Sequence, residues 1–337
     1  MLEVIEPGLL TTVQDGGRWG FGHLGVPESG ACDRHGLAVA NLLVGNVPDD
    51  AGLELTLVGP TLAVHEEACL GLGGADLRAT VEEPGRRTIR FSPGTSRMVR
   101  AGSVVRFPGP PAPGARAYLA VAGGIDVPEV LGSRSTCLAG GFGGLEGRPL
   151  RAGDRLAGRD PAGWALVDRA WPSSLPGRQD ASSGPIAVLA GPQPERFPDG
   201  TLERFLAEEW TVSTHSDRVG VRLDPLGDPI APRPEAAEQP SQPMTWGAIQ
   251  LPPDGRPVVL LADHRTVGGY PVIAVVARVG LPIAGQLAPG DRVRFIRTSI
   301  EPAQRAAREQ AAIIQRVARQ LGGRVGEEGG TPGRDPV

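Results

Sequence analysis

Short apolar runs punctuated by glycine and proline govern what this chain can become. Leu2–Ile5, Leu53–Val58, Thr61–Val64, Tyr118–Val121, Ile186–Leu189, Val258–Leu261 and Val272–Val276 are all strand-sized and rich in Val, Ile or Leu. Gly and Pro, 49 and 34 of 337 residues, supply the turns between them. With 40% of residues hydrophobic and gathered in ordered blocks, the pattern predicts a folded, turn-rich, mainly β chain and not a low-complexity one.

Helical signals are few. Asp33 stands as an N-cap before Leu37, Ala38, Asn41 and Leu42, with Gly45-Asn46 as the stop. A second short helix is expected over Gly200–Glu209. A third, over Glu301–Leu321, sets Ile313, Val317 and Leu321 on one stripe. Pro108–Gly114 and Ala231–Pro243 read as loops.

Segments of the first half recur in the second, in the same order. Gly17-Arg18-Trp19-Gly20 resembles Asp217-Arg218-Val219-Gly220, and Gly73-Gly74 resembles Gly268-Gly269. Ala101–Phe107 resembles Pro289–Phe295. The repeat predicts two tandem barrel-like domains, 1–157 with an extension and 185–299. Between them a linker is expected over 158–184. A C-terminal helix over 300–321 and a polar, disordered tail over 322–337 complete the expected layout. One large β protein with recurring turn chemistry is the competing reading.

All 34 basic residues are arginine. Without lysine the chain has no P-loop, no Schiff-base nucleophile and no attachment point for biotin or lipoate. A net charge of −4 argues against nucleic-acid or anionic-membrane partners. Cys32, Cys69 and Cys137 are odd in number and far apart, so neither a disulfide framework nor a zinc site is expected. No His or Cys cluster has metal-ligand spacing, and no metal is predicted. Buried reduced thiols and an N-terminus without a basic or long apolar segment point to a cytoplasmic protein with no membrane partner.

Three polar blocks can carry chemistry. In the first, Gln14, Asp15 and Arg18 flank Gly16-Gly17 and offer an amide, a carboxylate and a rigid fork of donors. The same residues also fit a tight turn with a surface Asp–Arg pair. The second, Ser213–Arg222, holds Ser, His and Asp together. A triad needs such groups to converge from separate elements, and no G-x-S-x-G elbow occurs, so a serine hydrolase is rejected. Asp217, Arg218 and Arg222 remain as binding candidates, or as a structural ion pair. In the third, an apolar strand after Gln250 delivers Asp263, His264, Arg265 and Thr266, then Gly268-Gly269-Tyr270. Polar groups at a strand end beside a flexible turn suit a site, with His264 as a possible general base or a merely solvated ring. The Gly123-Gly124 and Gly140–Gly144 stretches read as ordinary turns.

These blocks, with 40–46, 117–136 and 140–154, closely resemble the family of 5-oxoprolinase C subunits, also called the biotin-dependent carboxyltransferase-like or allophanate hydrolase subunit 2 family. The resemblance runs from about residue 2 to 296. It implies cyclophilin-like β-barrels. It also implies a direct partner, the 5-oxoprolinase B subunit, and a further A subunit. Together the three use ATP to open the lactam of 5-oxo-L-proline to L-glutamate. ATP with Mg²⁺ is then shared with, or held by, the partner subunits. Related domains transfer a carboxyl group from biotin, carried by another protein, to urea. Another relative is a regulator that antagonises a kinase inhibitor.

For lactam opening the resemblance makes Arg18, Arg218 and Arg222 anion clamps and gives Gln14 and Gln250 the planar amide. Asp15, Asp263 or His264 then handles the proton, with Asp217, Thr266 and Tyr270 as further substrate contacts. Val272 departs from the basic residue that often follows Gly-Gly-Tyr-Pro in relatives. The expected site gathers Asp263, His264, Tyr270 and Gln250 with Arg218 or Arg222 and opens toward the B subunit.

Overall fold

A computed structural model describes residues 1–109, 113–159, 168–172, 184–236 and 239–321. The tail expected over 322–337 lies outside these residues, as do most of the linker expected over 158–184 and positions 110–112 of the Pro108–Gly114 loop. The chain is mainly β with short helices and a C-terminal helix, as its punctuation predicts. It divides into two compact units: 1–19, 29–180 and 311–337 form the first, 20–28 and 181–310 the second.

Unit 1 opens with β1 (Leu2–Glu6), β2 (Leu10–Gln14) and α1 (Arg34–Leu43). Next come β3 (Gly52–Thr56), β4 (Thr61–Val64), β5 (Ala68–Gly74), β6 (Thr80–Glu82) and β7 (Ile89–Arg90). β8 (Thr95–Val99), β9 (Val104–Arg106), β10 (Arg116–Val121) and β11 (Arg155–Leu156) complete it. They form a six-stranded sheet, β11-β1-β4-β9-β6-β7, and a five-stranded one, β2-β3-β10-β5-β8. Leu53, Leu55, Leu62, Leu70, Leu72, Val105 and Leu119 build its main core.

α1 begins where the sequence places it: Asp33 Oδ1 accepts the Gly36 amide at 2.8 Å. Its buried face meets β5 and β10 through Leu37, Ala40 and Val44. Two glycines of β5 allow the approach. A Cβ on Gly73 would stand 2.1 Å from the Gly36 carbonyl oxygen, and one on Gly71 would stand 2.3 Å from that of Ala40. Farther along the chain, Val317 and Ala318 of the C-terminal helix pack on Leu42 within this unit.

Unit 2 contains β12 (Ile186–Ala190), α2 (Thr201–Ala207), β13 (Trp210–Val212), β14 (Gly220–Pro225) and β15 (Gln242–Pro243). β16 (Ala248–Gln250), β17 (Val258–Leu260), β18 (Val267–Gly268) and β19 (Val272–Val276) follow. α3 (Leu281–Ala284), β20 (Arg292–Val293), β21 (Phe295–Arg297) and α4 (Ile300–Gln320) end the described chain. Eight strands form one sheet, β20-β13-β14-β17-β16-β19-β12-β21. Its two outermost strands are consecutive in the chain and separated only by Arg294, so the sheet is a nearly closed barrel. The β16–β17 hairpin turns at the expected Pro-Pro-Asp-Gly, Gly255 N donating to Pro252 O at 3.1 Å. Phe205 stacks on Phe295 at 4.8 Å and lies 5.4 Å from Trp210.

The repeated Ala101–Phe107 and Pro289–Phe295 segments share one turn geometry. Gly102 and Gly290 have φ of 83° and 88°, which glycine adopts without strain. Gly102 N donates to Val64 O, and Val64 N donates to Ser103 O. Gly290 and Asp291 make the same reciprocal bonds with Val212. A third copy, unmatched in the repeat reading, joins Gly153 and Asp154 to Val4.

Candidate functional site

The first polar block folds inward. Asp15 Oδ1 accepts the Gly17 amide at 2.8 Å and the Ser133 and Ser135 hydroxyls at 2.7 and 2.5 Å. Its Oδ2 accepts the Arg134 amide at 2.5 Å. Arg18 is buried, donating to the Val130 and Ser135 carbonyls at 2.8 and 2.9 Å, with its guanidinium 4.8 Å from the Phe142 ring centre. Gln14, also buried, donates to Thr12 and the Thr136 carbonyl and accepts the Gly30 amide. All three residues bind one surrounding loop, 130–144. Gly143 packs there with positive φ, its Cβ position 2.1 Å from the Ser135 carbonyl oxygen.

Beside them lies a buried network that no sequence motif announces. Glu54 Oε2 accepts the Tyr118 hydroxyl at 2.9 Å and the Cys32 amide at 2.8 Å, while Tyr118 Oη accepts the Asp33 amide. Arg116 Nε lies 3.6 Å from Glu54. Burial, then the nearby Glu54 and Asp33 carboxylates, push the Tyr118 phenol well above its usual range.

In unit 2 the apolar β17 runs on through buried Leu261 and Ala262 to Asp263 and His264. The ladder with β14 persists past the strand ends, since Leu261 N donates to Val219 O and Asp263 N to Arg218 O. That register sets the side chains face to face. Arg218 Nε donates to Asp263 Oδ2 at 2.8 Å and Nη2 to Oδ1 at 3.3 Å, both residues being buried. His264 lies in the next turn, its amide donating to Leu261 O. Asp217 instead secures the backbone, accepting the Val219 and Gly220 amides.

The remaining candidates are arranged around this pair in different ways. Gln250 Nε2 donates to Met244 Sδ at 3.4 Å, and Met244 N donates to the Thr266 carbonyl at 2.9 Å, which ties β16 to the Asp263 loop. Gly268 leaves room for that amide: a Cβ there would lie 2.5 Å from Gln250 Nε2. Tyr270 and Arg222 are exposed, the latter on β14 opposite Val258. Three further glutamines, none singled out in the sequence, meet nearby in the β-sheet order. Gln193 Nε2 donates to Gln239 and Gln242 at 3.0 and 3.4 Å, and Gln193 Oε1 accepts the Val272 amide at 3.4 Å. The register of β16 with β19 sets Gln250 opposite Val272, and that of β15 with β18 sets Gln242 opposite Gly268.

Among the described residues no group of His, Cys, Asp and Glu is placed to hold a metal. The three cysteines are buried, and none forms a disulfide among the described residues. No helix among them is long and apolar enough to cross a membrane.

Two β units, with a buried Arg–Asp pair at a barrel strand end, are accompanied by a sequence match that places the protein in the carboxyltransferase-domain class. Residues 24–297 match the family described as carboxyltransferase domain, subdomain A and B, and the chain belongs to that family. It is 37% identical to the C subunit of Escherichia coli (strain K12) 5-oxoprolinase, over 95% of this chain and 99% of that one. It is 35% identical to a urea amidolyase of Lachancea kluyveri, over 93% of this chain but 18% of the larger protein. The structure of Kluyveromyces lactis urea carboxylase superposes with a TM-score of 0.82 at 32% identity, covering 94% of this chain and 29% of that one.

Proposed function

We propose that the chain is the C subunit of an ATP-dependent 5-oxoprolinase-type amidohydrolase, working with A and B subunits to open the lactam of 5-oxo-L-proline. The end-to-end match to a bacterial C subunit of matching length carries this reading. A urea amidolyase, by contrast, is matched over a small part of a much longer chain.

An amide is a poor electrophile, and phosphorylation of its oxygen creates a leaving group for attack by water. In this chain the Asp263 carboxylate is gripped and oriented by Arg218. His264 and Gln250 present imidazole and amide groups to a planar substrate. Arg18 and Arg218 direct donors at the Val130 and Ser135 carbonyls and at Asp263. They therefore do not fit a triphosphate cradle, and the nucleotide and its Mg²⁺ are assigned to the partner subunits. Co-expression with the A and B subunits tests the reading. ATP-dependent glutamate release from 5-oxo-L-proline is expected, and release no greater than that of the two partners without this chain overturns it.

The family match and the urea carboxylase superposition favour one alternative, the carboxyltransferase part of a biotin-dependent urea or amide carboxylase. Biotin then arrives on another protein, since this chain has no lysine. Urea-dependent turnover of a carboxylated biotin carrier, in place of glutamate release, selects that reading.

A further inference from the structure

His264 is 3% exposed, and its two ring nitrogens have different surroundings. Nδ1 lies 2.8 Å from the Arg265 carbonyl oxygen. A carbonyl only accepts, so Nδ1 carries the proton, and in the neutral ring Nε2 holds a lone pair. Nε2 is buried, and no hydrogen-bond partner reaches it among the described residues. Most buried polar atoms in folded proteins are hydrogen-bonded, so this acceptor calls for a donor that the described residues do not supply. The neighbouring groups are already engaged: Asp263 holds Arg218, and the His264 amide holds Leu261 O. Solvent begins one residue later, at exposed Arg265.

We propose that His264 Nε2 accepts the N–H hydrogen bond of a bound planar amide, lactam or urea alike. This rests on the amide-substrate reading above. An amide N–H lies in the plane of its carbonyl, and an imidazole lone pair lies in the ring plane, so the two meet edge to edge. In a dry setting such a bond is strong, and a ligand lacking the N–H leaves the nitrogen unsatisfied. The Nδ1 bond to Arg265 fixes the ring for this role.

The test compares 5-oxo-L-proline, its N-methyl derivative and urea in equilibrium binding to the full chain assembled with the A and B subunits. The wild type should bind the lactam about tenfold more tightly than the N-methyl form. His264→Asn keeps a donor for the Arg265 carbonyl but has nothing at the Nε2 position, and should erase that preference. His264→Gln carries an oxygen near that position and should restore part of it. Equal discrimination by wild type and His264→Asn overturns the proposal, as does wild-type indifference to N-methylation. Binding of urea but not lactam, weakened by His264→Asn, supports it with the other amide. If none of the amides binds, the amide reading and this one fall together. ¹⁵N spectra of the histidine-labelled full chain give a readout independent of any ligand: His264 should be the Nδ1–H tautomer, and Nε2–H overturns the assignment.

Discussion

Arg218 and Asp263 are joined twice, by a side-chain ion pair with Nε 2.8 Å from Oδ2 and by a backbone bond from Asp263 N to Arg218 O at 3.0 Å. The backbone bond holds the two residues in register, so the ion pair follows from the sheet and does not have to create it. Removing one partner leaves the other charge buried. Arg218→Ala or Asp263→Ala should therefore lower stability by about 3–5 kcal/mol. The double replacement Arg218→Met, Asp263→Leu should be milder than either, and Arg218→Lys should not restore the wild type because the two-pronged contact is lost. Urea unfolding of the four variants checks this. A single alanine variant as stable as wild type would show the pair to be dispensable.

The close seat of α1 on β5 makes a sharper demand. Gly73→Ala drives a methyl into the Gly36 carbonyl, a contact with backbone that cannot swing aside. A loss of about 2 kcal/mol or more is expected from overpacking. An unchanged unfolding midpoint would mean that the helix rides higher than it stands here.

Asp15 anchors the 130–144 loop through two serine hydroxyls and the Arg134 amide. Asp15→Ala should cost about 3 kcal/mol, given the strength of hydrogen bonds to a charged group. It should also speed tryptic cleavage after Arg134. If both stability and cleavage stay as in wild type, the loop is held by something else.

Stability should decline in alkali. Burial, and secondarily Asp168, push the Cys69 thiol up to about 11 from 9.0, and Tyr118 lies well above 10.0. Both groups lose their protons more readily when unfolded. Their contribution is complete below about pH 9 and is lost as pH rises through and beyond 11. Cys69→Ala and Tyr118→Phe should each flatten that fall between pH 9 and 11, as read from urea midpoints. Native Cys69 should resist alkylation at pH 8 until denaturant is added. Rapid native alkylation would contradict the burial.

The Asp33 cap and the C-terminal helix were legible because each depends on residues within a few positions, and the Gly102 and Gly290 segments showed as a repeat although their bonds to Val64 and Val212 are long-range. The Arg218–Asp263 pair was less so. Asp217 stands next to the arginine in sequence, while Asp263 lies 45 residues away and arrives through the β14–β17 register. Asp15 and Ser135, 120 apart, meet for a similar long-range reason. The Gln193 cluster and the Glu54–Tyr118 bond carry no local signature, since glutamine and tyrosine occur anywhere in strands. The third Gly turn, at Gly153, shares Gly-Asp-Arg with the Gly290 turn, but a three-residue match separated from the other repeats is too short to stand out in the sequence.

The single residue between β20 and β21 has a consequence for assembly. A barrel whose terminal strands are chain neighbours leaves an open seam only two or three residues long, too short to template another strand. Strand addition at this seam is therefore disfavoured. A chain cut before Phe295 would lose the parallel partner of Ile186–Val188 and bare a row of amides and carbonyls there. That edge would invite copies of the chain to pair with one another, turning a self-contained shell into a sticky one.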